Sequence, residues 1–168
     1  MLILIYGLPG SGKSYFGERL ASKLDLYYIN TDKLRDEMKL RGRYSEKDTQ
    51  KVYEQMFDYA RKQLESGKSL ILDATFRKRE YIKIAEKMAG AYGVAFFLIE
   101  MLADEATSLR RVRQSRKYSE AGEEVYYKLK KNDEPVEQSH LRLDSSSADV
   151  DSLIEEAMNY ISHDRRRV

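Results

Sequence analysis

The sequence contains no cysteine. That removes disulfides, thiolate metal sites and thiol nucleophiles together, and leaves thiol usage silent about redox compartment. No apolar run approaches the ~20 residues of a membrane-spanning helix, and residues 1–6 read as a strand feeding a loop rather than as a cleavable leader. A soluble, cytoplasmic protein is the expectation. Neither sign of charge dominates: 30 Lys and Arg against 28 Asp and Glu leave a net +2, which neither requires nor excludes a polyanionic partner. The Asn-Lys-x-Asp motif that reads guanine is missing as well. At 168 residues the chain fits one domain, 1–168, large enough to cover both faces of a sheet. That length leaves no room for the accessory helical domain of a larger AAA-type or motor ATPase.

What is present begins with Gly7-Leu8-Pro9-Gly10-Ser11-Gly12-Lys13-Ser14, set between the apolar run Leu2–Tyr6 and a helical pattern starting near Tyr15. The spacing G-x-x-x-x-G-K-S is that of a P-loop. Gly10 and Gly12 let the backbone bend so that successive N–H groups, backed by a helix N-terminus, point into one concavity that holds phosphate oxygens. Lys13 then reaches the β- and γ-phosphates as a point charge, and the Ser14 hydroxyl holds a Mg²⁺ that bridges them. The residues from Gly7 to Tyr15 are therefore the expected seat of a nucleoside triphosphate. The alternative is a glycine-rich strand–helix turn that binds nothing.

Phe16, Leu20 and Leu24 give the first helix an apolar stripe, and Gly17 lets it approach the sheet closely. Leu26–Ile29 reads as a second strand, with Thr31 or Asp32 capping a helix from Lys33 to Lys39. Ser45 with Asp48 resembles a capping box and opens a long helix whose buried face is Val52, Tyr53, Met56, Phe57, Ala60 and Leu64. Ser69–Leu72 is a third strand ending at Asp73-Ala74-Thr75, and a helix through Tyr81, Ala85, Met88, Ala89 and Tyr92 closes at Gly93. Val94–Ile99 has the continuous apolar character of a strand buried on both faces. Asp104 caps a helix running to about Ser115, a shorter helix spans Glu123 to Lys131, His140–Leu143 suits an edge strand, and a final apolar stripe runs from Val150 to Ile161 ahead of a basic tail, 163–168. Five short strands alternating with helices predict an α/β three-layer sandwich, a parallel sheet with helices on both faces.

Ligands in such sheets bind at the carboxyl ends of the strands. Gly7, Asp32, Asp73 and the stretch Glu100 to Asp104 all follow predicted strand ends and so share one rim. Asp73 fits a Walker-B-like acid holding Mg²⁺ together with Ser14; a turn or helix-cap carboxylate is the alternative. Asp32 is placed to take the proton from an acceptor hydroxyl, or to cap the second helix, or both. Arg35, three residues on and on the same helical face, suits an anionic group of the acceptor; otherwise it is an exposed helix arginine. Between Arg110 and Lys117 lie five positive charges in eight residues, the composition of a lid, about 110–131, that brings charge to a transition state. Arg113 and Arg116, three apart, are the lid candidates, while Arg110 and Lys117 read as a solvated face.

Four pieces of the chain resemble the P-loop kinases similar to the kinase domain of bacteriophage polynucleotide kinase, zeta-toxin-type kinases and small-molecule kinases of that clade. They are Gly7-Leu-Pro-Gly-Ser-Gly-Lys-Ser14, Ile29-Asn-Thr-Asp-Lys-Leu-Arg35, Leu72-Asp-Ala-Thr-Phe76 and the arginine-rich lid with Ser119-Glu-Ala121. The resemblance implies Asp32 as general base, Arg35 as an acceptor-binding arginine and Arg116 as a lid arginine on the ATP phosphates. It implies Asp73 as the acid after the third strand, with Thr75, Arg77 and Arg79 along the acceptor side. Adenine rather than guanine is also implied by resemblance alone. Glu120 stands where many relatives carry Asp. The expected activity is ATP- and Mg²⁺-dependent transfer of a γ-phosphoryl group to a hydroxyl. The acceptor is either a polynucleotide 5′ end, towards which Arg35, Arg77, Arg79 and the basic lid tilt the reading, or a small metabolite such as a sugar, nucleoside or amino-sugar compound. A nucleotide-dependent switch with slow hydrolysis is the competing class.

Overall fold

Leu2, Ile3, Leu4 and Ile5 are all fully buried, because the strand they form, β1 (Leu2–Tyr6), lies at the middle of the molecule. In the computed structural model, which describes residues 1–114, 122–131 and 134–164, the chain continues through α1 (Lys13–Leu24), β2 (Tyr27–Asn30), α2 (Thr31–Glu37), α3 (Glu46–Glu65), β3 (Leu70–Asp73) and α4 (Arg79–Ala91). It ends with β4 (Phe96–Leu102), α5 (Glu105–Arg113), α6 (Glu123–Lys131), β5 (Leu141–Asp144) and α7 (Val150–Asp164). The strands form one parallel sheet in the order β2-β3-β1-β4-β5.

Alternation along β1 divides the core in two, since successive side chains of a strand face opposite ways. Leu2, Leu4 and Tyr6 pack with α3 and α4 through Val52, Met56, Ala60, Ile82 and Ala85. Ile3 and Ile5 pack with α1 and α7 through Phe16, Leu20, Leu153, Ala157 and Ile161. Full burial of a Val, Leu, Ile, Met or Phe side chain contributes about 1.5–3 kcal/mol. Tyr53 of α3 and Tyr81 of α4 stack at 3.9 Å between ring centroids, which joins the two helices on their face of the sheet.

Several boundaries differ from the sequence expectation. The cap of α2 is Asn30, not Thr31 or Asp32: its side-chain oxygen accepts from the N–H groups of Asp32 (2.9 Å) and Lys33 (3.0 Å), so the helix starts at Thr31 rather than Lys33. α5 stops at Arg113, where Gln114 turns to an extended conformation, short of Ser115. β4 runs on to Leu102, so Glu100 lies within the strand rather than after it, level with Tyr6 at the end of β1 and paired with Arg142 (2.8 Å) and His140 (3.4 Å). Ser45 does cap α3 with Asp48, accepting from its N–H at 3.1 Å, and Asp104 caps α5 by accepting from Thr107 N–H at 2.7 Å. No helix among the described residues is long and apolar enough to cross a membrane.

Candidate active site

The loop between β1 and α1 turns through left-handed backbone at Gly10 (φ +84°) and Gly12 (φ +82°). A Cβ on Gly10 would also lie 2.4 Å from the carbonyl oxygen of Ser108, so both conformation and space require glycine there. Gly12 is the N-cap of α1 and offers no side-chain cap. The first N–H groups of a twelve-residue helix thus lack an intrahelical or capping partner, which is the arrangement that favours phosphate.

A cavity of about 1370 Å³ opens over this loop. Because β1 is central, the cavity extends from the P-loop towards both edges of the sheet: Arg111, Ser145 and Val150 line it on the β5 side, and Asp32, Arg35 and Thr75 on the β2 side. Pro9, Gly10, Gly12, Lys13, Ser14 and Tyr15 face it from the loop and the start of α1, Tyr15 being exposed with Arg19 over its ring at 4.5 Å. Gly7, Leu8 and Ser11 do not; they line a cleft of about 70 Å³ behind the loop. Of the loop residues expected to hold the triphosphate, these three are therefore outside the main cavity.

Arg111 is the residue the sequence reading passed over. Its Nη1 donates to the carbonyl of Gly10 (3.1 Å) and to Ser145 Oγ (2.7 Å), and its Nη2 to the carbonyl of Ser145 (2.8 Å). Ser145 Oγ in turn donates to the carbonyl of Ser11 at 2.8 Å. Thr107 and Ser108 are the buried residues of α5, and Arg111 follows them at i+4 and i+3, on the same helical face; two small polar residues do not announce that face in the sequence. Arg113, the expected lid residue, points elsewhere. It forms an exposed ion pair with Glu123 of α6, whose carboxylate raises the guanidinium pKa, and it does not line the cavity.

Beneath the start of α1 lies a polar cluster. Asp73, at the end of β3, has 0% exposure. Its Oδ2 accepts from the Tyr28 hydroxyl and from Asn30 Nδ2 at 2.6 Å, and Asn30 Nδ2 also lies 3.3 Å from Ser14 Oγ. Burial, then the neighbouring Asp73 charge, pushes the Tyr28 phenol far above its ordinary pKa, so it stays a donor. Asp73 Oδ1 is buried with no partner among the described residues. Asp73 does not cap a helix, since α4 begins beyond Lys78, and it does not face the acceptor side of the cavity. Ser14 Oγ and the unpartnered Asp73 Oδ1 are hard oxygen groups of the kind Mg²⁺ takes, one or two from the protein together with phosphate oxygens and water.

On the β2 side, capping by Asn30 relieves Asp32 of that task, and the Asp32 side chain lines the cavity. Arg35 is 7% exposed, which excludes a solvated helix arginine. Its Nη1 donates to the carbonyl of Arg43, its guanidinium lies 4.7 Å from the Tyr44 ring centroid, and its buried Nε has no partner among the described residues. Thr75 hydrogen-bonds the Tyr53 hydroxyl, which also accepts from Phe76 N–H at 3.0 Å; burial pushes the Tyr53 pKa up to about 12. Phe76 holds a left-handed φ of 44° with its ring buried, at a cost of order 1–3 kcal/mol. Arg77 lines both the cavity and the small cleft. Arg79 does not line the cavity: its N–H donates to Glu134 (2.9 Å) and its Nε to the Pro135 carbonyl (2.8 Å), so it ties down the segment after α6.

A family model described as an AAA domain matches residues 2–135, from β1 through α6. The chain belongs to the AAA domain family. No curated protein matches it by sequence. Among solved structures it is similar to the APS kinase CysC of Mycobacterium tuberculosis in complex with AMPPNP and APS, at 19% identity and a TM-score of 0.73 over 96% of each chain. It is similar also to a gluconokinase from Sinorhizobium meliloti (16%, TM-score 0.68, 96% of this chain and 91% of that one). Chaetomium thermophilum Kti12 in complex with ADP-AlF3 is a third (15%, TM-score 0.73, 95% of this chain and 98% of that one). At such identities the likeness is one of fold, and the fold is that of the P-loop kinases.

Within this AAA-domain chain, Lys13, Ser14, Asp32, Arg35, Thr75 and Arg77 line one cavity; of the residues expected on a common rim because they follow strand ends, Asp32 is among its lining, while Gly7 and Asp73 are not. Arg116, Lys117 and Ser119–Ala121 of the expected lid, and residues 165–168 of the basic tail, lie outside the described residues.

Proposed function

We propose that this protein is an ATP- and Mg²⁺-dependent kinase that transfers a γ-phosphoryl group to the hydroxyl of a small acceptor carrying an anionic group. The observation behind it is Arg35: a guanidinium in the wall of the P-loop cavity, buried to 7% exposure, with an Nε that nothing among the described residues satisfies. A buried unsatisfied donor on a permanent cation is costly unless an anion completes it.

The chemistry follows from the chain's own groups. The N–H groups at the start of α1 and the Lys13 ammonium hold the β- and γ-phosphates. Ser14 and Asp73 would hold the Mg²⁺, which when bound offsets phosphate charge. Asp32 accepts the proton of the acceptor hydroxyl as that oxygen bonds to the γ-phosphorus. The bond from the γ-phosphorus to the bridging oxygen breaks, and ADP leaves with the electron pair. Arg35 fixes the acceptor by its anion, and Arg116 of the lid supplies charge to the phosphates.

Of the basic residues that tilt the sequence towards a nucleic-acid end, Arg79 donates to the Pro135 carbonyl and does not line the cavity, which favours a small acceptor. The test is label transfer from γ-labelled ATP with Mg²⁺ to a panel of phosphorylated, carboxylated and neutral sugars and nucleosides, with 5′-hydroxyl oligonucleotides alongside. Transfer to an anionic small compound, lost in Asp32→Asn, is expected. Transfer to oligonucleotides alone would reassign the acceptor, and release of label only to water would make the protein a nucleotide switch.

A further inference from the structure

A P-loop and a following acid explain Ser14 and Asp73, but nothing in that pattern asks for a tyrosine in β2. Tyr28 and Asn30, two apart, share the face of the sheet that α1 covers, and Asn30 stands in register with Asp73. Both donate to the same carboxylate oxygen, Oδ2, so the Asp73 carboxylate is held from one side and only Oδ1 is left over. The Tyr28 hydroxyl also lies 3.5 Å from the carbonyl of Ser14. Tyr28 therefore touches both residues suited to hold the cation.

The ring has a prepared seat. Gly17, one turn into α1, leaves so little room that a Cβ there would lie 2.9 Å from Tyr28 Cε2. The pairing of a glycine on the helix with a tyrosine on the strand brings a phenol hydroxyl to a carboxylate that has 0% exposure.

We propose that Tyr28 is a positioning residue for the metal-holding carboxylate: its hydroxyl, seated by Gly17, engages Asp73 Oδ2 and so leaves Oδ1 as the oxygen that would serve the cation of the bound nucleotide. This rests on reading the cavity as a Mg²⁺–nucleotide site. Groups that orient a metal ligand typically carry a 10–100-fold share of metal affinity.

The experiment compares wild type with Tyr28→Phe, which keeps the ring and removes the hydroxyl, and with Gly17→Ala, which keeps the hydroxyl and displaces the ring. Mn²⁺ binding to the ADP complex is followed by electron paramagnetic resonance, and ADP binding in EDTA by calorimetry. For Tyr28→Phe the Mn²⁺ affinity falls about 10–100-fold while the metal-free ADP affinity stays within about 2-fold of wild type; Gly17→Ala shifts Mn²⁺ affinity in the same direction. Unchanged Mn²⁺ affinity in Tyr28→Phe, with wild type binding normally, would overturn the role of Tyr28 alone. An equal loss of metal-free ADP binding would also overturn it, by making Tyr28 a packing residue. A wild-type protein that binds ADP neither with nor without Mn²⁺ would remove the nucleotide site itself, and this role with it.

Discussion

Nη1 of Arg111 lies 3.1 Å from the carbonyl oxygen of Gly10, a contact between residues 101 positions apart in the chain. Through it, and through Ser145, the P-loop is gripped from the β5 side of the sheet as well as being strung between β1 and α1.

Arg111→Ala should therefore weaken ATP binding roughly 10-fold or more, because hydrogen bonds from a charged group contribute about 1.5–3 kcal/mol. Arg111→Lys should not restore it, since an ammonium cannot span Gly10 and both Ser145 atoms as the planar fork does. Calorimetric titration with ATP decides this; wild-type affinity in the alanine variant would show the grip to be dispensable.

Lys13→Ala should lose triphosphate affinity and turnover together, because the same charge serves the bound and the transferring phosphate. Near-normal kinetics would end the P-loop assignment.

Asp32→Asn should bind ATP almost as wild type while kcat falls by roughly 10²–10⁴-fold, the usual range for loss of a general base. A mild effect would leave Asp32 as a residue of the cavity wall only, its capping role already being taken by Asn30.

Arg35→Gln should raise KM for an anionic acceptor by roughly 10-fold or more and leave KM for ATP unchanged. Equal turnover of anionic and neutral acceptors by wild type would contradict the acceptor class.

Asp48 gives an acid-stability signature. The Ser45 hydroxyl chiefly, with Arg43 helping against burial, holds its carboxyl below the usual range. The folded protein thus takes up this proton less readily than the unfolded chain. Its contribution is complete above about pH 4 and fades as pH falls through the lower folded value. Asp48→Asn should lower the Tm at pH 7 and flatten its decline towards pH 3.

The parts of the site that were legible are those where one backbone or one charge suffices. The P-loop is written in contiguous residues, and Asp32 and Asp73 follow strand ends whose apolar runs are visible. Asn30 was misread because two capping candidates, Thr31 and Asp32, follow it directly, and choosing among the three depends on where β2 lets go of β3. The burial of Arg35 was hidden since it depends on the loop that returns Arg43 and Tyr44 over α2. Arg111 could not be singled out among neighbouring arginines without knowing which face of α5 meets Gly10. Arg79 misled for the same reason, its partner Pro135 lying far along the chain.

The central place of β1 has a bearing on how the molecule is made. Leu2 to Ile5 stand in register with β3 and β4, at residues 70–73 and 96–99. The contacts that close the P-loop from outside arrive later still, with Arg111 and Ser145. A nascent chain therefore carries its most apolar strand with both edges open until β3 is made and with one open until β4 follows, a condition that favours intermolecular strand pairing. On the proposed function, ATP would therefore stabilise chains in which the Arg111 and Ser145 contacts to the loop are already made.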